Sequence, residues 1–293
     1  MRAEKVDKIA TAVVLSLAGL VGLLIISFLA YLLVVGLPNV SWHFLFSPAE
    51  SFKSDGGIRD QLFNSLYLVV LTMLVSVPLA LCAAIYLSEY APQNRLTATL
   101  RLAIEVLSSL PSVVIGLFGY LVFVLQFGLD FSLLAGALAL TILNLPLLTR
   151  SCEDALQQVP QLQRQAGLGL GMSKWRVTTK IVLPAALSGI ITGAILSAGR
   201  IFGEAAALIY TAGQSSPAIS YTDWNPFSPT SFLNPLRPAE TLAVHIWKVN
   251  SEGLVPDARA VSNGSAAVLI ITILAFNLLA RLVGYLIKRR LAK

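Results

Sequence analysis

Residues 9–37 read IATAVVLSLAGLVGLLIISFLAYLLVVGL, 29 consecutive positions without Asp, Glu, Lys or Arg. As a helix rising about 1.5 Å per residue, this run is longer than the roughly 30 Å hydrocarbon core of a bilayer. Arg2, Lys5 and Lys8 before it give the outline of a secretory signal. The apolar core of such a signal is only about 7 to 15 residues, however, so an uncleaved anchor is expected. Further charge-free runs lie at 62–88, 106–129 and 131–149; a fifth, 184–211, is interrupted by Arg200 and Glu204, and a sixth, 263–287, carries Arg281. Membrane barrels would instead show alternating segments of about ten residues. The expectation is an all-α membrane bundle of six transmembrane helices, one domain over 1–293, with an inner loop at 150–183 and an outer loop at 212–262.

Composition agrees with that solvent. Apolar residues make up 56% of the 293 and charged residues 12%, the latter about half the usual share in soluble chains. A water-soluble globule could not cover so much apolar area, and intrinsic disorder needs low hydrophobicity. The net charge of +6 is a matter of position. With the N-terminus inside, fifteen of the 21 basic residues fall on the inner side, for a net of +9, and the outer side carries −3. This is the positive-inside pattern with both termini cytoplasmic, and it argues against nucleic-acid binding.

Catalytic signals are missing. His43 and His245 fall in different outer loops, no HExxH, paired-Cys or GxSxG pattern occurs, and neither a cofactor nor a metal is expected. The stretch 240–249 around His245 reads as a surface amphipathic helix. Cys82 and Cys152 read as packing or free thiols. Gly167, Gly169 and Gly171 before Ser173 and Lys174 do not form GxxxxGK[ST] and follow no strand, so any ATP must bind another subunit.

Loops longer than about 12 to 15 residues usually carry function, and 150–183 is the longest on the inner side. Ala155, Leu156, Val159, Leu162, Ala166, Leu168 and Leu170 recur at roughly helical spacing, broken by Pro160 and the glycines. Short helices with a glycine turn would make an apolar knob that packs back on the bundle or docks in a partner's groove.

Ala166 and Gly171, then nine residues, then Ile181, Leu183 and Pro184 resemble the EAA loop of bacterial ABC importer permeases of the type I (MetI-like) fold. Asp55-Gly56-Gly57-Ile58, Asn64-Ser65-Leu66, Ala83 to Leu87 with Glu89-Tyr90, Pro111-Ser112, Gly116 to Gly119 and Asn277 to Arg281 resemble the PstA-type phosphate permeases within that family. The resemblance runs from about residue 10 to 290 and is weakest at 213–234. It implies a non-catalytic bacterial inner-membrane permease with a coupling helix near 160–174, and partners similar to the PstC permease, two PstB ATPase subunits and the PstS phosphate-binding protein. Gln165, Ala166, Gly167, Gly171, Ile181, Leu183 and Pro184 would then serve ATPase coupling. Gln165 stands where the family usually has Glu and Gly167 where it has a second Ala, so a family salt bridge from that Glu is lost here.

Arg200 and Glu204 carry the chemistry of the fifth span. Burying each charge in a membrane costs about 2.5 to 3.5 kcal/mol on the insertion scale, and spacing i, i+4 puts both on one helical face. Counted from Pro184, Arg200 lies about 16 residues in, roughly 24 Å, in the outer half of the bilayer. One reading is a buried ion pair that fixes the helix. The other is an anion path, with the guanidinium fork fitting phosphate oxygens and Glu204 limiting how tightly the anion is held. The resemblance favours the second, because PstA-type proteins carry an Arg and a Gly-Glu pair matching Arg200 and Gly203-Glu204. It implies inorganic phosphate as substrate, while phosphonate, sulfate or molybdate permeases share the fold, and an ATP-independent channel or secondary transporter is the rival class. Gly189 with Gly193 and Gly199 with Gly203 give GxxxG spacings for close helix contact.

Overall fold

The computed structural model describes residues 2–50, 56–252 and 256–291; Lys53, Asp55 and Lys293 lie outside them. Among the described residues the chain is helical, and the only strand-like feature is one isolated bridge between Ser220 and Ser231. In order the helices are α1 (Arg2–Gly36), the short α2 (Trp42–Phe46), α3 (Arg59–Ile85) with a π turn at Tyr86–Tyr90, α4 (Arg95–Ser108), and α5 (Ser112–Gly119) with a π stretch at Tyr120–Gln126. After these come α6 (Leu133–Gln157), α7 (Gln161–Gly169), and α8 (Lys174–Val177), which a π turn at Thr178–Val182 joins to α9 (Leu183–Phe202). The chain closes with α10 (Ala206–Ile209), α11 (Leu242–Glu252) and α12 (Ala258–Leu291). Among the described residues five segments are long and apolar enough to cross a bilayer, and α4 with α5 gives a sixth if the bent pair is one span.

The innermost element is α6, whose faces are buried from Leu133 to Leu156. It is capped by Ser132, whose Oγ accepts the Ala135 N–H at 3.1 Å, satisfying one of the first-turn donors. Leu68, Leu140, Phe202 and Leu208 centre one apolar cluster, and Ala84, Leu148, Cys152 and Val182 centre a second near α7. A third, with Phe44, Ile58 and Leu242, lies at the opposite end. Most of α1 is exposed along its apolar length, as a helix solvated by lipid would be. It joins the bundle where it ends, because Gly36 lies against Asn263 and Ala267 of α12 with no room for a Cβ.

Three expected boundaries move. The charge-free run 106–129 is not one straight helix, because α4 and the segment 112–126 meet at 97°. Pro111, the residue before α5, has no N–H to donate and disfavours helical geometry at Leu110, so the helix restarts in a new direction. The proline is itself the sequence signal for that turn, although hydropathy, which only counts apolar residues, does not carry it. The inner loop is also shorter than 150–183. Helix α6 continues through Gln157 and the next long helical segment begins at Lys174, leaving 158–173 with α7 inside it. The fifth span stops at Phe202 rather than Thr211, and Gly203 takes the capping position.

Helix α11 departs from the sequence reading as well. It begins at Leu242, and Leu242, Ala243, Val244, His245 and Val249 are buried. Its first half and Val249 are therefore packed inside, while Trp247, Asn250, Ser251 and Glu252 stay at the surface. His245 escapes the usual pattern for an exposed amphipathic helix because Glu240 receives it inside, as described below.

Candidate functional site

The position of Arg200 follows from how α9 meets α6. A Cβ on Gly189 would come within 2.7 Å of the Ala155 Cβ, and one on Gly193 within 2.9 Å of the Ser151 Cβ. The two helices therefore run antiparallel in close contact, and seven further residues along each put Arg200 level with Asn144. Asn144 is near the middle of α6. Arg200 is thus level with the middle of α6, and a count from Pro184 does not measure its place, because the helical segment that holds Pro184 begins ten residues earlier, at Lys174.

Arg200 is exposed on the chain taken alone, and no acidic group lies within salt-bridge distance of it among the described residues. The ion pair with Glu204, the first of the two readings, is not formed. The helical continuity it requires ends where Gly203 N–H bonds to the Arg200 carbonyl at 3.2 Å and Glu204 N–H to the Ile201 carbonyl at 3.2 Å. Past this turn the Glu204 carboxylate accepts the Ala207 N–H at 3.3 Å, in the first turn of α10. Of the two GxxxG spacings, Gly189 and Gly193 serve packing against α6 within the bundle, Gly199 faces the Asn277 side chain, and Gly203 ends the helix.

Arg200 tops a row at i, i+4 spacing, Ser188, Thr192, Leu196 and Arg200, that is exposed along α9. Below Arg200 this row borders a groove of about 350 Å³ between α6 and α9, with Ser151, Asp154, Gln158, Ser188 and Thr192 among its walls. Behind it, polar side chains are buried without hydrogen-bond partners: Asn144 at both amide atoms, Thr72 and Ser197 at their hydroxyls. Nothing in the sequence singled these out, since Asn, Thr and Ser do not interrupt an apolar run.

The residues expected to serve coupling are split between two surfaces. On α7, Gln165 and Ala166 are exposed while Gly167 is buried. A Cβ on Gly167 would come within 2.6 Å of Ile181 Cδ1 and 2.9 Å of Val177 Cγ2, so the glycine that replaces the family alanine permits tight seating of α7. Gly171, at φ +78°, supplies the left-handed residue after α7, with the Met172 N–H on the Gly167 carbonyl at 3.2 Å. Leu183 and Pro184 follow the π turn at the start of α9, where the proline, which has no N–H to donate, interrupts the hydrogen-bond ladder of the continuous helical segment. Leu162, Leu168 and Leu170 stand exposed, Leu170 at 83%. The apolar knob therefore exists, and its outer face is uncovered by this chain.

Two polar systems were not legible beforehand. Beside α7, Arg164 reaches Glu89 across 75 residues of sequence, Nη2 to Oε1 at 2.8 Å. At the opposite end, Asn64 donates to the Glu240 carbonyl at 3.0 Å and to Ser216 at 2.8 Å, and accepts from Arg237 Nη2 at 2.7 Å. Glu240 in turn receives Gln61 at 2.9 Å and sits 3.1 Å from His245 Nδ1. Arg237 is buried with Nε and Nη1 unpartnered, and burial lowers its pKa from the ordinary arginine value. Tyr221, whose hydroxyl donates to Asp60 at 2.8 Å, has its pKa raised, first by burial and then by that bond. Among the described residues no group of three or more His, Cys, Asp or Glu could hold a metal ion.

Comparison with known proteins agrees with this architecture. Residues 76–293 match the family model described as binding-protein-dependent transport system inner membrane component. The chain is 47% identical over 291 residues to a probable ABC transporter permease protein YqgI of Bacillus subtilis, covering 99% of each. It is 34% identical over 253 residues to the phosphate transport system permease protein PstA 2 of Mycobacterium bovis, covering 86% of this chain and 79% of that one. Among solved structures it resembles a chain of the MetNI methionine ABC transporter, with TM-score 0.57 and 17% identity over 78% of this chain and 94% of the other. That likeness speaks to the fold, which is the all-α MetI-like bundle expected from the sequence. With its helices and its relatives in agreement, the chain belongs to the binding-protein-dependent transport system inner membrane component family, the permease subunits of ABC importers.

Proposed function

We propose that this permease imports inorganic phosphate, with Arg200 as the anion's local partner level with the middle of α6. The observation that carries the reading is that Arg200 is unpaired, exposed on the uncovered face of α9 and set above a hydroxyl-lined groove. An unpaired guanidinium in a membrane span needs an anion or water, and its fork suits tetrahedral oxyanions. Relatives named phosphate transport permeases favour phosphate among these anions. In this reading Glu204 holds the turn that ends α9 beside the path, so the arginine stays free for the substrate.

A sister permease similar to PstC covers the exposed row of α9, two PstB-like ATPases receive the α7 knobs, and a PstS-like protein delivers phosphate from outside. Both termini and α7 face the cytoplasm, as the basic balance of that end requires. ATP binding closes the ATPases, and the shift of α7 turns the Arg200 cavity from outside to inside. One guanidinium does not by itself separate phosphate from sulfate, and the relative at 47% identity carries no substrate in its name. Uptake by the whole complex in vesicles, with phosphate competing against sulfate, molybdate and phosphonate, decides the substrate. Preference for another oxyanion overturns phosphate. Unchanged uptake in correctly inserted Arg200→Gln removes the arginine from the path.

A further inference from the structure

We infer that Arg164 and Glu89 are positioning residues that make α7 move as one body with the inner end of α3, and that Arg101 extends this latch to α4. The inference rests on α7 being the ATPase-coupling element. All three guanidinium nitrogens of Arg164 are engaged. Nε lies 3.2 and 3.3 Å from the two Glu89 oxygens, Nη2 bonds Glu89 at 2.8 Å and the Leu156 carbonyl at 2.8 Å, and Nη1 bonds the Val159 carbonyl. The side chains are 11% and 7% exposed. Those two carbonyls lie at the end of α6 and just beyond it, where a cation is favoured. One side chain thus ties α7 to both α6 and α3.

The rest of α7 has no comparable hold. Apart from Arg164 and Gly167 its residues are exposed, and the seat of Gly167 on Ile181 and Val177 is apolar and non-directional. A bidentate buried pair fixes orientation as well as distance. Removing one partner leaves the other buried and unpaired, so the latch is sensitive to a single neutral substitution.

Glu89 lies in the π turn Tyr86–Tyr90, and two residues before it the Leu87 carbonyl accepts Arg101 Nη2 at 3.0 Å. Arg101 also holds Glu153 of α6 at 2.7 Å, with that carboxylate 2% exposed. A shift of α7 therefore pulls on the π turn and, through it, on α4. Beyond the Pro111 bend, α5 touches α10 so closely that a Cβ on Gly116 would come 2.8 Å from Ala207 Cα. Helix α10 begins six residues after Arg200. The contacts are continuous from the knob to the turn beside Arg200; contiguity alone does not prove coupling, and the experiment measures it.

The test uses the whole complex in proteoliposomes, reading ATP hydrolysis, phosphate uptake and ATPase co-purification together. In Glu89→Gln and Arg164→Lys the ATPase still co-purifies and hydrolyses ATP, while uptake per ATP falls about tenfold, within the usual range of coupling between sites. Unchanged uptake per ATP in both single variants overturns the latch. A wild-type complex with no ATPase instead overturns the coupling role of α7, a separate failure. A second measurement needs no latch variant: Gln93→Cys and Gln161→Cys, on opposite sides of the cleft beside α7, are joined by a bifunctional maleimide in a Cys82→Ser, Cys152→Ala background. If α7 and the end of α3 move together, the cross-link leaves uptake intact. A cross-link that blocks uptake shows relative motion and overturns the proposal.

Discussion

Gly193 of α9 lies against Ser151 of α6 with no space for a side chain between them: a Cβ at 193 would come within 2.9 Å of the Ser151 Cβ and closer still to its hydroxyl. The same register sets the level of Arg200 along α6, so this contact governs both packing and site. Gly193→Ala should destabilise the protein by about 1 to 3 kcal/mol, the usual penalty of overpacking a tight contact. Ser151→Gly in the same chain should recover most of the loss. Thermal unfolding in detergent measures both, and equal losses in the single and double variants would contradict the contact.

Arg200 and Glu204 are close in sequence yet act apart. Glu204 accepts the Ala207 N–H of α10, and Arg200 stays on the exposed face of α9. Unpaired residues contribute independently, so the effects of Arg200→Gln and Glu204→Gln on unfolding free energy should add within about 0.5 kcal/mol. An interaction energy well above that value would restore the ion pair. Uptake should separate the two residues as well, with Arg200→Gln losing transport and Arg200→Lys retaining part of it, since the lysine keeps the charge without the fork.

The helical class and most spans were legible because burial in lipid demands long charge-free runs, and five of them stand in the structure with shifted ends. What hydropathy could not carry was direction. Pro111 turns the chain by 97° within a run of uniform apolarity, and Gly203 ends α9 within another. Arg200 was legible as a charge in an apolar span, but the pairing inferred from i, i+4 spacing assumed a helix that stops at Phe202. The exposed apolar knob of α7 was legible as a short-range pattern. Arg164 with Glu89, and Arg237 with Asn64, were not, because their partners come from distant segments brought together only by folding.

Asn64 bridges three segments at the end opposite α7, donating to the Glu240 carbonyl and Ser216 and accepting from Arg237. Its loss leaves the already under-bonded Arg237 guanidinium with no remaining hydrogen bond. Asn64→Ala should therefore cost about 2 kcal/mol or more, the penalty of leaving buried polar groups unsatisfied. Asn64→Leu, which removes the same bonds at similar volume, should be no better. Stability in detergent tests this, and protease sensitivity of residues 213–238 should rise in parallel, because those residues lose one of their ties to α3, the others being Tyr221 on Asp60 and Tyr67 on the Leu233 carbonyl.

Tyr221 gives this end of the bundle a pH dependence of definite sign. Burial, and then the hydrogen bond to Asp60, raises its pKa, so the folded chain holds the phenolic proton where the unfolded chain releases it. The stabilisation is complete below the ordinary tyrosine value of about 10 and is lost as pH rises from there towards the folded value. The unfolding midpoint should fall above about pH 10 in the native protein. Tyr221→Phe, which keeps the ring that packs edge-on against Phe63 at 5.5 Å but has no proton to lose, should be less stable at neutral pH and flatter in its alkaline decline. Parallel declines in the two proteins would show that another group sets the alkaline limit.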